Sequence, residues 1–505
     1  MDTQKIDRSF CVLAVSFLLL VSCGGKDTDP YPNSLVVARV GDRVITKSEF
    51  IRRVEYTPRP AYCRGDNNIH KKIVLNSLIA EKLLALDILS KPEYESPRHL
   101  DQYILGRREQ AMRQLYRYDY GINRVSTTDE ELRNNFLSAR REYELGFVTF
   151  PDSHYAYGAK EFLDQGVSFE AIYSRILGTE EMDIRKVTWF DDDESIIRNT
   201  LYSQPLERGS VLGPLKLQDG KYLMFKVIAW KDNIQLSETG NQTLWDDVVS
   251  KVEERKGNQL YNDHVSGLMR GKSFMLEEAT FRNLVDDLAE KYLLKEAEKG
   301  SMLNQAIWEI EKQHLSINNS EFEVSYLDQK LFRFDEKDWT VQDLTDLVSR
   351  HPLVFREKRF EMADFANQVK LAIADLLRDY IVTGEAYDGG YADRKEIKSY
   401  GEMWQDQYLS GIYKEIINYS ISDSMLQSSN SIPFIERHMN PIVDSLQQAY
   451  SDEIFINFKT FEDITLTRID MFVAQDKVPY PVVVPPFPQV TTDHIFDYGN
   501  KLESK

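Results

Sequence analysis

The side chains able to do chemistry are few in this 505-residue chain, and their spacing offers little. Eight histidines are scattered with no His-x-x-x-His pair, and no two cysteines stand as Cys-x-x-Cys, so the usual zinc ligand sets are missing. No Gly-x-Ser-x-Gly elbow presents a serine nucleophile. Gly24-Gly25 and Gly389-Gly390 are isolated pairs that loops explain better than a phosphate cradle does. Asp191-Asp192-Asp193-Glu194 has the carboxylates for Ca²⁺ but lacks the turn-forming glycine and the spaced oxygen ligands of a calcium loop. It reads as a solvated loop or helix start. The expectation is therefore no metal and no cofactor, with no catalytic residue named by these patterns. Trp230, Trp245, Trp308, Trp339 and Trp404 read as core residues, some of which could line a groove.

The N-terminus is more informative. Lys5 and Arg8 precede an apolar run from Phe10 to Val21, the length of a signal-peptide core and short for a bilayer span. It ends in Leu20-Val21-Ser22-Cys23-Gly24, which resembles the bacterial lipobox. That resemblance implies a signal peptide over 1–22, cleavage before Cys23, lipid on the Cys23 thiol and a polar tether over 23–33. Each buried CH₂ of an acyl chain contributes roughly 0.8 kcal/mol, so two or three chains hold firmly. Gly24 stands where an aspartate would signal inner-membrane retention. The expected location is the cell envelope, lipid-anchored at the outer membrane and facing the periplasm or the cell surface. Cys11 would leave with the signal peptide and Cys23 would carry lipid, so Cys63 has no disulfide partner. The net charge of −19 repels nucleic acid and anionic headgroups, which leaves the lipid as the link to the membrane.

The fold class expected from the pattern is α+β and multi-domain, with helical modules flanking a small α+β domain. Residues 34–125 read as a hairpin and helices: Leu35 to Val40, a Gly41-Asp42 turn, Val44-Ile45, then a helix capped by Thr46 with Glu49 three residues on. Residues 69–90 carry an apolar side, and a third helix runs over about 99–119. Residues 126–232 alternate short strands and helices. Residues 233–329 read as a region of long charged helices. Residues 330–420 repeat the opening pattern, with Lys330 to Leu344 matching Val37 to Phe50, and read as a duplicated module or as an unrelated strand–helix unit. Residues 421–505 bring a helix, strands over 453–474 and a proline-rich tail, Val478 to Pro488, that is extended.

Several segments together resemble the SurA/PrsA-type exported foldases, which carry a parvulin-type peptidyl-prolyl isomerase domain. Val37 to Phe50 is similar to the family's opening element, and Leu75 to Ile88 to its apolar helix. Phe162 to Phe169 resembles the parvulin corner, Leu206 to Leu215 its turn, and Gly220 to Val227 its closing strand. The resemblance implies client-binding helical modules around a parvulin-like domain that is active or idle. It places the pocket at Phe147, Trp189, Phe190, Tyr222 and Leu223. Family parvulins have a histidine on the first and last strands. Here the first falls on Phe147, and the last on Leu223 or Tyr222. The expectation is a foldase whose isomerase pocket is degenerate and whose partners are unfolded envelope or outer-membrane proteins. Two other readings stay open: an active isomerase helped by Tyr222 or His154, and a dedicated subunit of an envelope assembly complex.

Overall fold

The computed structural model describes residues 35–91, 98–191, 194–217, 219–232, 237–292, 326–356, 362–421, 429–466, 483–495 and 500–501. Cys23, the signal peptide and the tether lie outside the described residues, as do Asp192, Asp193, Trp308 and the tail before Val483. The fold is mixed α+β with small, mostly antiparallel sheets. Two units form. The first takes the described residues of 1–87, 409–472 and 486–505, and the second those of 88–408 and 473–485.

In the first unit, β1 (Val36–Val40) and β2 (Arg43–Thr46) form the expected hairpin. Thr46 caps α1 (Lys47–Glu55), its hydroxyl accepting the Glu49 N–H at 3.0 Å. Helix α2 (Asn68–Leu89) departs from the amphipathic reading. One side packs Leu75, Leu78 and Ile79 into the hairpin core, and Ala80 and Leu84 enter a second cluster with Phe434, Met439 and Val443. Even Glu81 and Lys82 are buried, so α2 is an all-round core helix.

In the second unit, β3 (Arg141–Phe150), β4 (Ile184–Val187), β5 (Val211–Lys216) and β6 (Tyr222–Asp232) form an antiparallel sheet in the order β4-β3-β6-β5. Alternation on the strands supplies two cores. Val148, Phe150 and Met224 pack under α5 (Ser153–Asp164) and α6 (Phe169–Leu177). Tyr143, Leu145, Phe225 and Val227 pack under α7 (Ser195–Tyr202) and the long α8 (Glu238–Met269). The strand expected at 187–190 lies at 184–187, fixed by pairing of Val187 with Tyr143, so Trp189 and Phe190 fall in the turn after it.

A second hairpin, β8 (Lys330–Phe334) and β9 (Lys337–Thr340), repeats the first pair for pair. Val36 faces Thr46 and Val40 faces Arg43, with a bulge after Val36. Lys330 faces Thr340 and Phe334 faces Lys337, with a bulge after Lys330. The turns match as well: Gly41 has φ +58°, and Asp335 has φ +56° at the corresponding place. Thr340 then caps α10 (Val341–Arg350) through a complete capping box with Asp343.

Each hairpin also takes a third strand in the same register. β10 (Ile454–Ile456) pairs with β1, and β7 (Phe274–Leu276) pairs with β8. The next residue donates its N–H back to the hairpin in both cases, Asn457 to the Val37 carbonyl and Glu277 to the Leu331 carbonyl. A helix follows each, α14 (Phe458–Glu462) and α9 (Glu278–Tyr292). Over the described part, 453–466, the expectation of strands is thereby corrected, and residues 467–474 lie outside the described residues. Asn457 caps a helix by accepting the Thr460 N–H at 3.1 Å, so the strand stops at Ile456.

Helix α3 (Arg98–Tyr120), grouped with the first hairpin in the sequence, packs in the second unit against α10 and α11 (Phe365–Asp388). Gly106 makes this possible, since a Cβ there would fall 2.2 Å from the Arg350 carbonyl oxygen. Gly106→Ala is expected to lose roughly 1–3 kcal/mol of unfolding free energy, because the end of α10 must move or strain. Chemical denaturation checks this, and an unchanged midpoint would mean that α3 and α10 do not approach so closely.

Candidate functional site

The residues expected to form an isomerase pocket divide between the two faces of the β3–β6 sheet. Thr149 faces Leu223 across the ladder and Phe147 faces Phe225, so Phe147 and Leu223 are diagonal neighbours on the α7 face. Both are half-buried against the same core, beside Leu212 and Leu215. Trp189 is buried there too. Its indole N–H donates to Asp247 at 2.5 Å, and its ring meets Tyr202 edge-on at 5.2 Å. Phe190 is exposed. Tyr222 projects to the opposite face, near Tyr157 of α5. His154 is exposed at the start of α5. Neither polar candidate therefore reaches the Phe147 and Leu223 face, where the groups brought together are apolar. Asp191, from the acidic run, accepts hydrogen bonds from the Thr188 N–H and hydroxyl, at 2.8 and 2.9 Å, which is a turn closure. Among the described residues no group of histidine, cysteine and carboxylate side chains could hold a metal ion.

A cleft lies elsewhere in the second unit. It has a volume of about 690 Å³, between α3, the segment Ser349 to Arg356, α11 and Trp404 of α12 (Lys395–Ser420), with Val483 and Val484 at its wall. Its apolar surface comes from Leu353, Phe355 and Leu376, and Val354 on its lip is 73% exposed. Sequence reading missed this site. Its signal was the run His351-Pro352-Leu353-Val354-Phe355, an apolar stretch after a helix end with no strand partner.

A buried polar cluster positions one wall. His351 Nε2 lies 2.5 Å from Glu109 Oε2, the Tyr387 hydroxyl donates to Glu109 at 3.0 Å, and Arg350 stands 3.4 Å away. Arg113 faces the other ring nitrogen of His351 at 3.5 Å. An arginine only donates, so Nδ1 accepts and the proton sits on Nε2, which gives a neutral imidazole. Burial, aided by the Arg113 charge, pushes the His351 pKa below its ordinary value against the opposing pull of Glu109. Burial alone would raise Glu109. The bonds from His351 and Tyr387 and the charge of Arg350 outweigh it and hold the carboxyl below its ordinary range.

The tail makes a further kind of site. Residues 483–495 belong to no helix or strand, yet Val484, Phe487, Val490 and Thr491 are buried. In the second unit the Tyr400 hydroxyl donates to the Val483 carbonyl at 2.7 Å. In the first, Arg53 donates to Pro486 at 2.9 Å, Lys414 to Gln489 at 3.2 Å and Asn76 to Asp493 at 2.8 Å, all at carbonyl oxygens. Phe487 enters the hairpin core and Val490 the cluster around Phe434. Arg53 is itself set by a fully buried, two-pronged bond to Glu81 at 2.8 and 2.7 Å. Burial lowers the Lys414 ammonium to about 8, against the opposing pull of Glu415.

No protein-family model, curated protein or solved structure matches the chain. No helix among the described residues is long and apolar enough to cross a membrane.

The cluster around His351 sets a pH dependence. His351 and Glu109 both bind protons less readily folded than unfolded, so stability rises with pH. The histidine contribution is complete above its unfolded value of about 6.5 and declines as pH falls below it. The thermal midpoint is expected to drop between pH 7 and pH 5, and to drop less in His351→Gln. Scanning calorimetry across that range decides, and identical pH slopes for the two proteins would remove His351 from the account.

Proposed function

We propose that this protein is a lipid-anchored holding chaperone of the cell envelope, which binds extended segments of unfolded exported or outer-membrane proteins. The observation that carries the reading is the tail. The protein accommodates a proline-rich stretch that belongs to no helix or strand by giving its carbonyls side-chain donors and its apolar side chains sockets. An unfolded client presents the same chemistry: unpaired carbonyls and exposed apolar groups. The cleft beside Val483, with its apolar surface and exposed lip, offers the same treatment to another chain. Attachment through Cys23 rests on the lipobox resemblance alone.

The parvulin-like domain acts in this reading as a binding surface. The sheet order β4-β3-β6-β5, with two helices between the first two strands and one before the third, supports the likeness. Prolyl isomerisation faces a barrier of ~18–20 kcal/mol set by amide resonance. A pocket lowers it by gripping the proline ring and desolvating the amide in a defined polar geometry. Phe147 and Leu223 supply apolar contact without that geometry.

Two assays test the proposal together. The purified chain is expected to suppress aggregation of a denatured outer-membrane protein at near-stoichiometric ratio, and to leave the isomerisation rate of a short Xaa-Pro peptide at its buffer value. Failure to suppress at several-fold excess would overturn the chaperone reading. A rate well above buffer would overturn the idle pocket, and a Phe147→His, Leu223→His variant then shows whether histidines improve on it.

A further inference from the structure

The cleft of about 690 Å³ in the second unit has a charge opposite to that of the whole protein. Most of its arginines are neutralised within the fold. Arg356 holds Asp375 through two bonds at 2.8 and 2.9 Å. Arg378 bridges Asp375 and Asp379, Arg113 stands 3.6 Å from Asp379, and Arg350 faces Glu109. Arg107 is different, with no carboxylate within ion-pair distance among the described residues.

Arg107 is nevertheless held in place. Its guanidinium carbon lies 4.0 Å from the Trp404 ring centroid and 4.9 Å from that of Tyr103, two rings that meet edge-on at 5.9 Å. It donates to the Tyr103 hydroxyl at 3.0 Å and reaches the Gln110 carbonyl oxygen at 3.5 Å. A guanidinium has five N–H donors, so most of the fork is unspent. With its carbon 4.0 Å over the Trp404 ring, the group is covered by that ring and keeps N–H donors for a planar carboxylate.

Val483 and Val484 show what else the cleft accepts. They line its wall outside any helix or strand, with the Val483 carbonyl held by Tyr400. Leu353, Phe355 and Leu376 supply apolar contact in the same cleft. From this combination we infer that the cleft captures the C-terminus of an extended, aliphatic polypeptide, with the terminal carboxylate on Arg107 and the last side chains on Leu353 and Phe355. The inference rests on the polypeptide-binding reading and names its substrate class. A guanidinium covered by rings at the wall of the cleft favours a chain end, because no backbone has to continue past the charged group.

The test uses the full chain and three N-terminally labelled pentapeptides rich in valine and leucine, followed by fluorescence anisotropy. One has a free C-terminus, one is amidated, and one is amidated with a glutamate in the fourth position. The free acid is expected to bind roughly tenfold or more tightly than the plain amide, the scale of a charge-assisted hydrogen bond. Arg107→Gln is expected to abolish that preference. Arg107→Lys, which keeps charge but loses the fork, should retain part of it. Equal binding of acid and plain amide, or a preference that survives Arg107→Gln, overturns the inference. Binding of the glutamate peptide as tightly as the free acid overturns the chain-end assignment in favour of an acidic side chain. If no peptide binds while the chain still suppresses aggregation, the Arg107 inference fails alone; if suppression is absent too, the chaperone reading fails with it.

Discussion

A carbonyl buried without a hydrogen-bond partner costs about 1–3 kcal/mol, and an extended segment outside any sheet brings a succession of them. The stretch from Val483 to Asp493 belongs to no helix or strand while Val484, Phe487, Val490 and Thr491 are buried, and side-chain donors meet part of that demand. Tyr400, Arg53, Lys414 and Asn76 each direct a donor at one of its carbonyls. Those donors impose demands of their own. Arg53 is buried and requires the bidentate Glu81 carboxylate, since a buried ion costs several kcal/mol unless it is paired and bonded. Glu81 in turn ties α2 to α1, and Asn76 and Lys82 are buried on the same helix with partners of their own. The burial of α2 thus follows from the polar bonds it must house as well as from its leucines.

How far the fold was legible follows from this. Caps and hairpins could be read because they are local. Thr46 and Thr340 each stand three residues before an acid, and both cap helices through the expected oxygen. The hairpin partners were legible for the same reason. The third strands were not, because β10 and β7 contribute three residues each and lie far in sequence from the hairpins they complete. A trace existed: Thr460-Phe461 and Thr280-Phe281 occupy corresponding places after the two strands. Phe461 packs edge-on against Phe50, and Phe281 joins the second hairpin's core. Two shared residues carry too little pattern to be noticed without the register that aligns them.

The site was legible in part, for a related reason. Strand alternation places Phe147 and Leu223 on one face and Tyr222 on the other, a distinction that period-two reading could have made once the register was known. The cleft around Arg107 is built from α3, α11, α12 and a segment more than two hundred residues from α3, so no local pattern announces it. What makes it a site is a relation between distant groups. Every other arginine in its wall has an acid, and Arg107 has two aromatic rings. A sequence shows that an arginine exists, and only the fold shows which arginines have been neutralised.

The central claim is that this protein receives extended polypeptide, and site-specific photo-crosslinking tests it most directly. A photo-reactive residue replaces Val354, which is exposed on the lip of the cleft, and the chain is irradiated with a denatured outer-membrane protein. The account predicts a cross-linked product that is competed by excess unlabelled client and is weaker when the same residue replaces Ile69, exposed at the start of α2. Equal labelling at both positions, or none at Val354 while the client remains soluble, would contradict it.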